Sequence, residues 1–481
     1  MFAGARPVIT MLLLVMKNQA AGKTVIGMPL AGLRRIAMLL AASAVAITSL
    51  SAQDRGLDAR VDAYLAPYVK GNNFLGAVLV AQGDRVLVNR AYGRASYELR
   101  VPNSPETRFH IASVSKPFTA AAILLLEQRG MLHVSDPVSR FLPAFPNGQK
   151  ITLQHLLTHT SGITNVNNLP AYATASRFPQ TPATLIELFQ SKPLGFEPGA
   201  KYEYSNSNYN ILAFVIEQVS RKSYGEFLRE NIFVPLGLQD TGHDGDASGV
   251  IPNAASGYEP RGIADLERSP YIDWSAKTGN GSLYSTTRDL LKFVRAYSQG
   301  RLLPRQTVQQ IWAEKPGNNY GWFMRKRHGL TAVASNGRSP GFTSSLEYYP
   351  EKDLTVIVLS NSYSPVSQSP VADDLAAIAL GENPVPAGAI LPVEVSGDKL
   401  QRLASAYRFD EKFFRPGAEV RIRIEGKDLI LDWGGGTKSD LIPVSATEFV
   451  DRQFWSRVVF DETASGFTYS GSFRATRVPA Q

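Results

Sequence analysis

The amino-acid sequence predicts an α+β protein with one antiparallel sheet, a helical region and a small all-β domain at the C-terminal end. Strand-like segments lie near both ends of residues 53–385, and helical periodicity fills the region between them. A proline-rich stretch at 383–392 precedes a final segment in which apolar and polar residues alternate almost throughout, as they do in β-strands. We therefore divide the 481 residues into an N-terminal extension and signal peptide (1–52), a main domain (53–385) and a small β-domain (386–481).

Two β-hairpins are expected in the main domain. In the first, the apolar runs Gly76–Ala81 and Arg85–Asn89 flank a short polar turn that contains a glycine. In the second, Ser344–Tyr349 and Leu354–Leu359 flank a turn that opens with proline. The two hairpins supply the strands from which the antiparallel sheet is predicted.

Helices are expected between these hairpins, and capping residues mark several of their starts. A threonine precedes most of them, which is a favoured N-cap residue, and proline at a first helical position supports two of them. The predicted helical segments are Ser113 to about Arg129, Thr152–His159 with Thr152 as N-cap, the helix opened by Thr181 and Pro182, Asn208–Val219, and Leu290–Tyr297, which follows a capping-box pattern at Thr286–Asp289.

The C-terminal segment is predicted to form either a small β-barrel of the lipocalin-like kind or a β-sandwich. Apolar residues alternate with charged ones at Val420, Ile422 and Ile424. Further strands are expected at Trp455–Phe460 and Phe467–Phe473. About 90 residues is near the lower size at which a domain buries enough surface to fold independently.

The N-terminal segment carries the signals of export. Arg34 and Arg35 precede the apolar stretch Ile36–Leu50 and the small residues Ser51 and Ala52, as in a cleaved secretory signal. A membrane anchor is the alternative, but the stretch is shorter than the roughly 20 residues that span a bilayer. We expect an exported protein, periplasmic or secreted, without a stable membrane span after cleavage; translation starting at Met28 rather than Met1 is a further possibility.

Composition excludes several function classes. The formal net charge of +8 includes five basic side chains in residues 1–52, which hold no acidic residue, so the mature chain gives little reason to expect nucleic-acid binding. The absence of cysteine excludes disulfides, thiolate metal sites and a cysteine nucleophile. His155 and His159 are spaced for one helix face, but structural hydrogen bonds are the expected role, and no cofactor or metal is predicted.

The chemistry is expected at Ser113-Val114-Ser115-Lys116, at the head of the first helical run. A Ser three residues before a Lys places both side chains on one helix face, and the N–H groups at a helix start favour developing negative charge. Lys116 lies among apolar residues, where an unpaired ammonium is unfavourable. An N-cap serine beside a solvated lysine is the alternative, and an activated serine nucleophile is the interpretation that the apolar setting favours.

Tyr204-Ser205-Asn206 follows about ninety residues after Ser113. With these two motifs, the chain resembles the class C β-lactamase and penicillin-binding-protein-like serine hydrolase family, which includes esterases. The resemblance depends on the order and the spacing of five segments taken together. These segments are Phe109–Ala120, Ile151–Ile163, Tyr204–Asn206, Gly281–Leu290 and Pro340–Phe342. The resemblance covers residues 53 to about 385 and implies a β-lactamase/transpeptidase-like fold for them, with the β-domain as an accessory barrel.

The resemblance also implies roles for individual residues. Ser113 is the residue to be acylated, Lys116 holds the network in a reactive protonation state, and Tyr204 acts as base and activates water. Asn206 positions substrate. The oxyanion hole is expected from the Ser113 N–H and a strand N–H near Arg338. A free phenol titrates near 10, so Tyr204 is expected to need a nearby positive charge.

The chain departs from the family at its third motif. Aligned on Pro340-Gly-Phe, the usual Lys or His followed by x-Gly becomes Ser335-Asn336-Gly337. Serine donates a hydrogen bond but brings no charge to the substrate. We therefore expect Ser335, Gly337 and Arg338 at the substrate, with Arg338 as the candidate for the missing charge.

Three other matches are interpreted as coincidental. Lys277-Thr278-Gly279 copies the lysine form of the third motif but precedes Gly281–Leu290, so we place it on a loop beside the cleft. Gly337-Arg-Ser339-Pro-Gly341 fits the α/β-hydrolase elbow, but no histidine follows it, and a turn into the next strand is expected. Ser396-Gly-Asp-Lys399 repeats the nucleophile pattern where neither helix nor cleft is expected.

The sequence therefore predicts a serine hydrolase that forms a covalent acyl-enzyme, with an esterase acting on small acyl esters as the leading hypothesis. The alternatives are a β-lactamase or a D-amino-acid peptidase or carboxypeptidase. A non-catalytic penicillin-binding receptor or scaffold is the hypothesis from another class. The expected partner is a small-molecule ester, amide or β-lactam, and the number of subunits is not predicted.

Overall fold

A computed structural model describes residues 56–479 apart from 246–248, 263, 314–316, 365–369, 385, 387–391, 414–415 and 435–436. The signal peptide predicted for residues 1–52 and most of the proline-rich stretch lie outside the described residues. Among the described helices, none is long and apolar enough to cross a membrane.

Helices and strands are numbered here along the described chain. The helices are α1 (56–70), α2 (Lys116–Gln128), α3 (Leu153–Leu157), α4 (Pro170–Ala175), α5 (Pro182–Glu187), α6 (Asn206–Ser220), α7 (Tyr224–Leu228), α8 (Val234–Leu236), α9 (Thr287–Ser298), α10 (Arg305–Ile311), α11 (Pro370–Ala379) and α12 (Gly397–Leu403). The strands before residue 380 are β1 (Gly76–Gln82), β2 (Arg85–Tyr92), β3 (Arg94–Ser96), β4 (Val101–Pro102), β5 (Phe109–His110), β6 (Gly242–His243), β7 (Tyr258–Arg261), β8 (Asp265–Arg268), β9 (Leu283–Ser285), β10 (Asn318–Asn319), β11 (Trp322–Arg327), β12 (Leu330–Ser339), β13 (Phe342–Tyr349) and β14 (Leu354–Ser360). The strands after it are β15 (Ser405–Phe409), β16 (Glu419–Glu425), β17 (Asp428–Gly434), β18 (Thr437–Pro443), β19 (Glu448–Asp451), β20 (Ser456–Phe460), β21 (Gly466–Tyr469) and β22 (Phe473–Arg477).

The main sheet has seven antiparallel strands in the order β10-β11-β12-β13-β14-β1-β2. Both predicted hairpins are part of it, as β1–β2 and β13–β14. Leu79 faces a core shared with the helical region, while Val80 faces a second core formed with α1 and α11. A sheet covered on both faces explains why β1 and β14 read as continuous apolar runs rather than alternating ones.

The C-terminal strands β15–β22 form a closed eight-stranded barrel, in which β22 pairs back with β15. Aromatic side chains, among them Phe409, Trp433 and Phe467, fill its interior. Closure leaves no strand edge exposed. The structure therefore confirms the α+β fold class with a small β-barrel, and of the two predicted forms it selects the barrel over the sandwich.

Three local predictions need correction. Phe467–Phe473 is two strands, because Ser470 and Gly471 have φ of +52° and +71° and reverse the chain between β21 and β22. Thr286 caps α9 as expected, but the Asp289 carboxylate accepts from the Asp240 N–H instead of returning to the cap. Ser396 immediately precedes α12, so the segment that repeats the nucleophile pattern does begin a helix. The Ser396 side chain is exposed on the surface.

Candidate active site

The predicted nucleophile lies on a tight turn between β5 and α2. Residues Ala112–Ser115 form a 3-10 turn that runs directly into the helix at Lys116. Ala112 is fully buried with φ of +46°, a backbone conformation that alanine rarely adopts and that packing must hold in place. The Ser115 hydroxyl accepts from the Leu283 N–H at 3.1 Å, which ties the turn to β9. Ser113 is thereby fixed as a partly exposed side chain on a buried turn.

Lys116 and Tyr204 both lie within hydrogen-bond distance of the Ser113 hydroxyl. The Ser113 Oγ is 3.0 Å from the Lys116 Nζ and 3.0 Å from the Tyr204 hydroxyl. Lys116 Nζ also donates to Asn206 Oδ1 at 2.9 Å and to the Asn280 carbonyl at 2.8 Å. The two short motifs, about ninety residues apart in sequence, therefore meet at one hydroxyl group.

Asn206 is oriented by two other asparagines. Its N–H donates to Asn165 Oδ1 at 3.2 Å, and its Nδ2 donates to Asn167 Oδ1 at 2.8 Å. Because the amide nitrogen is occupied in this way, the amide oxygen is turned toward Lys116. Neither Asn165 nor Asn167 belongs to a motif that marked it in the sequence.

Burial acts on the two titratable groups in opposite directions. It lowers the pKa of Lys116 well below its usual value, and the nearby charge of Lys277 lowers it further. It raises the pKa of Tyr204 above that of a free phenol, against the lowering effect of the hydrogen bond to Ser113. Both directions favour the uncharged side chain.

The hydrogen-bond partners of Lys116 fit a neutral amine. Asn206 Oδ1 and the Asn280 carbonyl can only accept, so they take the two N–H bonds of an uncharged –NH₂ group. Lys116 Nζ also lies 3.0 Å from the Ser113 hydroxyl, to which an ammonium would donate and from which a neutral amine would accept. The lowered pKa favours the neutral form, which is the only one able to take up the serine proton.

Strand β12 forms one wall of the catalytic cavity. A Cβ at Gly337 would lie 2.4 Å from the Ile111 carbonyl oxygen and 2.7 Å from the Ser113 N, so only glycine allows the strand to approach the nucleophile turn this closely. Asn336 and Arg338 line the cavity. Ser335 does not: it is 1% exposed, and its hydroxyl has no hydrogen-bond partner in the described part of the chain.

The cavity has a volume of about 240 Å³ and opens over Ser113. Some of the residues that line it belong to no motif found in the sequence, because sheet register and loop packing bring them to the cavity. The described lining residues are Ser113, Lys116, Tyr204, Asn206, Asn318, Gly321, Phe323, Asn336 and Arg338.

The coincidental matches lie outside this cavity. Lys277 ends a buried 3-10 turn beside the ring of Tyr172, and burial lowers its pKa to about 8. It affects the site through its charge on Lys116 rather than by contact with the cavity. Ser339 ends β12 at the turn into β13, as the turn interpretation of the elbow-like pattern predicts.

His155 and His159 make separate structural hydrogen bonds. His155 Nδ1 accepts from the Thr152 N–H in the capping box of α3. His159 Nδ1 accepts from the Ser205 N–H at 3.2 Å, and its ring stacks on Tyr204 at 4.4 Å between centroids. Within the described residues no group of His, Asp and Glu is arranged to hold a metal ion. His159 thus supports the position of Tyr204, a role that its sequence pattern did not indicate.

Comparison with known proteins agrees with this geometry. The chain is 32% identical over 299 residues to the putative penicillin-binding protein PbpX of Bacillus subtilis, covering 62% of this chain and 73% of that protein. It is 28% identical over 412 residues to penicillin-binding protein 4* of the same organism, covering 81% and 90%. A D-stereospecific amidohydrolase from Streptomyces superposes with a TM-score of 0.56 at 25% identity, covering 68% of this chain and 98% of that one.

A match to a protein-family model assigns the chain to a family. The Beta-lactamase model matches residues 45–381, a range that contains every residue of the Ser113 network and stops before the barrel. This match shows that the chain belongs to the Beta-lactamase family, serine hydrolases of the β-lactamase and penicillin-binding-protein type.

Proposed function

We propose that the protein is an esterase that hydrolyses small acyl esters through an acyl-enzyme on Ser113. The observation that carries the proposal is the contact of one serine hydroxyl with both Lys116 and Tyr204 at 3.0 Å. A nucleophile within reach of its base, with the base itself oriented by further hydrogen bonds, is the arrangement that covalent catalysis requires.

In the proposed acylation step, Ser113 Oγ bonds to the ester carbonyl carbon and its proton passes to the neutral amine of Lys116. The carbonyl oxygen becomes an oxyanion, for which the N–H groups of Ser113 and Arg338 are the proposed donors. The bond to the alcohol oxygen then breaks, and that oxygen takes the proton of the Tyr204 hydroxyl. Lys116 returns its proton to Tyr204, so both groups end uncharged.

Deacylation repeats the same proton movements with water. A water molecule attacks the acyl carbon and gives its proton to the network of Tyr204 and Lys116. The Ser113–acyl bond breaks, Ser113 regains a proton, and the carboxylic acid is released. One ester and one water thus give one acid and one alcohol, and no cofactor is needed.

The pKa directions support an ester more than an amide. Expelling an amine requires a proton on its nitrogen, whereas an alcohol or phenol leaves with less assistance. Tyr204 faces the serine as a buried phenol whose pKa is raised, so it is a weak acid for this purpose. The family's third-motif lysine or histidine is replaced by Ser335, and no charged side chain replaces it at that position.

Amide or β-lactam hydrolysis is the second candidate, and the relatives favour it. They include proteins named as penicillin-binding and a D-stereospecific amidohydrolase. A non-catalytic receptor is a weaker candidate because Ser113, Lys116, Tyr204 and Asn206 are all present and in contact. We also propose export, on the strength of the signal pattern in residues 1–52.

Turnover of p-nitrophenyl butyrate, nitrocefin and a D-amino-acid p-nitroanilide by purified protein tests these candidates against each other. The proposal predicts butyrate turnover well above that of the other two compounds and its loss in Ser113→Ala. Faster turnover of nitrocefin or of the anilide would replace the esterase assignment with the second candidate.

A further inference from the structure

A second cavity is built on two of the elements that also lead to the nucleophile. It has a volume of about 770 Å³, against about 240 Å³ for the catalytic cavity, and the described linings of the two cavities share no residue. Its walls come from β5, which runs into the nucleophile turn, from residues 254–257 and 268–274, and from the turn between β12 and β13. It is called the second cavity here, and the proposed hydrolysis does not use it.

Aromatic and aliphatic side chains form much of the wall of the second cavity. Trp274 and Phe342 both line it, with 5.8 Å between their ring centroids. Ile272 adds aliphatic surface, and Tyr271 lines the cavity although it is 67% exposed. Apolar walls with a few polar groups are the usual construction of a site for a small organic molecule.

The polar groups of this cavity include a buried carboxylate with one unused oxygen. Asp273 is 4% exposed, and its Oδ1 accepts from the Ser275 N–H at 3.1 Å and from the Ser275 hydroxyl. This oxygen caps the 3-10 turn Trp274–Lys277. The Oδ2 has no hydrogen-bond partner among the described residues. Because an unpartnered buried carboxylate oxygen is unfavourable, the capping role does not account for the whole group.

A second carboxylate of the lining faces an uncharged imidazole. The oxygen Oδ2 of Asp244 lies 2.8 Å from His110 Nε2, and the His110 ring stacks on Trp274 with 3.7 Å between centroids. Since a carboxylate only accepts, the His110 nitrogen is the donor. Burial lowers the pKa of His110, so the imidazole is neutral at pH 7 and does not cancel the charge of Asp244.

The lining of the second cavity therefore carries more negative than positive charge. Among its described residues Asp244 and Asp273 are acidic, and Arg268 is the one basic side chain. Arg268 is exposed, and its charge also acts on Glu98 in the loop between β3 and β4. The described residues include no group of His, Asp and Glu arranged to hold a metal ion. An organic cation therefore matches this cavity better than a metal does.

We propose that the second cavity binds small organic cations: the Asp273 carboxylate holds an ammonium group, and the apolar part of the ligand packs against Trp274 and Phe342. A charge-assisted N–H bond supplies the partner that the carboxylate lacks. Asp244 adds negative charge, and aromatic rings attract a cation through their faces. The ligand class is primary amines that carry a hydrophobic group. Binding does not involve Ser113, so this proposal is independent of the proposed hydrolysis.

Two ligands that differ in charge test the proposal. Calorimetric titration of the purified protein at neutral pH compares 2-phenylethylamine, which is protonated there, with uncharged 2-phenylethanol. The amine is expected to bind about tenfold or more tighter than the alcohol. Asp273→Asn should remove this preference, because the amide keeps a capping oxygen for Ser275 but has no negative charge. Asp273→Ser, another uncharged N-cap residue, should have the same effect.

Variants elsewhere locate the site and control for net charge. Tyr271→Ala should weaken the binding of amine and alcohol alike and leave the preference between them. Asp398→Asn removes one negative charge from an exposed position on α12, and as the matched control it should leave both affinities unchanged. Thermal unfolding of each variant separates these effects from loss of fold.

Three results would overturn the proposal. They are the absence of saturable binding of the amine, equal affinity for amine and alcohol in the unaltered protein, and a preference that survives both substitutions of Asp273. A preference that is lost equally in Asp398→Asn would also reject the site, because overall charge would then attract the amine. None of these results involves ester turnover, so each would leave the proposed function standing.

Discussion

At the scale of single residues, the account depends on the protonation of Lys116. Its amine is buried among two carbonyl-type acceptors and one hydroxyl, and burial holds its pKa well below the usual value. The family resemblance implies a base role for Tyr204, but burial raises the pKa of that phenol. The proton acceptor proposed here is therefore Lys116, with Tyr204 as the donor to the leaving group.

This assignment predicts a pH profile. Because the neutral form of Lys116 is the reactive one and its pKa is lowered, acylation should rise with pH through that lowered pKa. It should then stay level, since the raised pKa of Tyr204 keeps the phenol protonated. Rapid-mixing measurement of p-nitrophenol release between pH 5 and 9.5 gives the profile. A rate that stays low over most of this range and is still rising at its upper end would instead indicate a phenolate base.

The substitution Lys116→Arg distinguishes a role of Lys116 as general base from a role as a structural cation. Arginine keeps donors for the two oxygen acceptors but remains protonated at every accessible pH. We expect acylation to fall by about 10²–10⁴-fold, the usual contribution of a general base, with little change in thermal unfolding. A variant that kept most of its activity would show that only the positive charge matters.

The sequence predicted Ser113, Lys116 and Tyr204 as a group because local spacing and motif order are enough to relate them. It also predicted Arg338 at the substrate, but it could not predict that Asn336 lines the cavity and that Ser335 does not. That outcome depends on which face of β12 turns toward the nucleophile, and alternation along a strand with both faces covered leaves no polar pattern to read.

At the scale of elements, the closeness of β12 to the nucleophile turn is what builds the site. Gly337→Ala would place a Cβ 2.4 Å from the Ile111 carbonyl oxygen, so strand or turn must shift. We expect kcat/KM to fall by about 100-fold, which a displacement near 1 Å can produce. Gly397→Ala, where a Cβ meets nothing within 4 Å, is the control and should leave kcat/KM unchanged. An unaltered kcat/KM in Gly337→Ala would show that the two elements are not held this tightly.

Strand β13 carries a buried carboxylate that should make stability depend on pH. Glu347 is 2% exposed and accepts from the Tyr349 hydroxyl at 2.7 Å, and burial raises its pKa to about 7. The folded state therefore binds more protons than the unfolded state between about pH 4.5 and 7, so this group's contribution to stability falls as pH rises through that window. Glu347→Gln should remove a decline of roughly 2–3 kcal/mol in the free energy of unfolding. Parallel declines in urea titrations of both proteins between pH 5 and 8 would contradict the assignment.

At the scale of the whole molecule, the sequence predicted both architectures but not their connection. Period-two alternation at Val420, Ile422 and Ile424 was enough to indicate a β-domain, and the hairpin signals were enough to indicate the main sheet. The contact of Arg338 with Phe454, in the loop between β19 and β20, joins residues more than a hundred positions apart. The loop is irregular backbone, which carries no periodic pattern. The division of the chain at residues 385 and 386 stays a prediction.

Limited proteolysis tests that division. We expect the first cut within residues 383–392, because domain boundaries usually fall in proline-rich linkers that few contacts cross, and proteases cleave such linkers first. The two fragments should remain associated on gel filtration, since Arg452 and Trp455 attach the barrel to the main domain. A first cut inside the barrel strands, identified by mass spectrometry of the fragments, would place the boundary elsewhere.

The most direct test of the central claim is the mass and position of a covalent adduct. Purified protein treated with a fluorophosphonate should gain one adduct, mapped by peptide mass spectrometry to Ser113, and Ser113→Ala should gain none while keeping its thermal unfolding profile. An adduct on another serine, with Ser339 the first to inspect, or unchanged labelling of Ser113→Ala, would contradict the account.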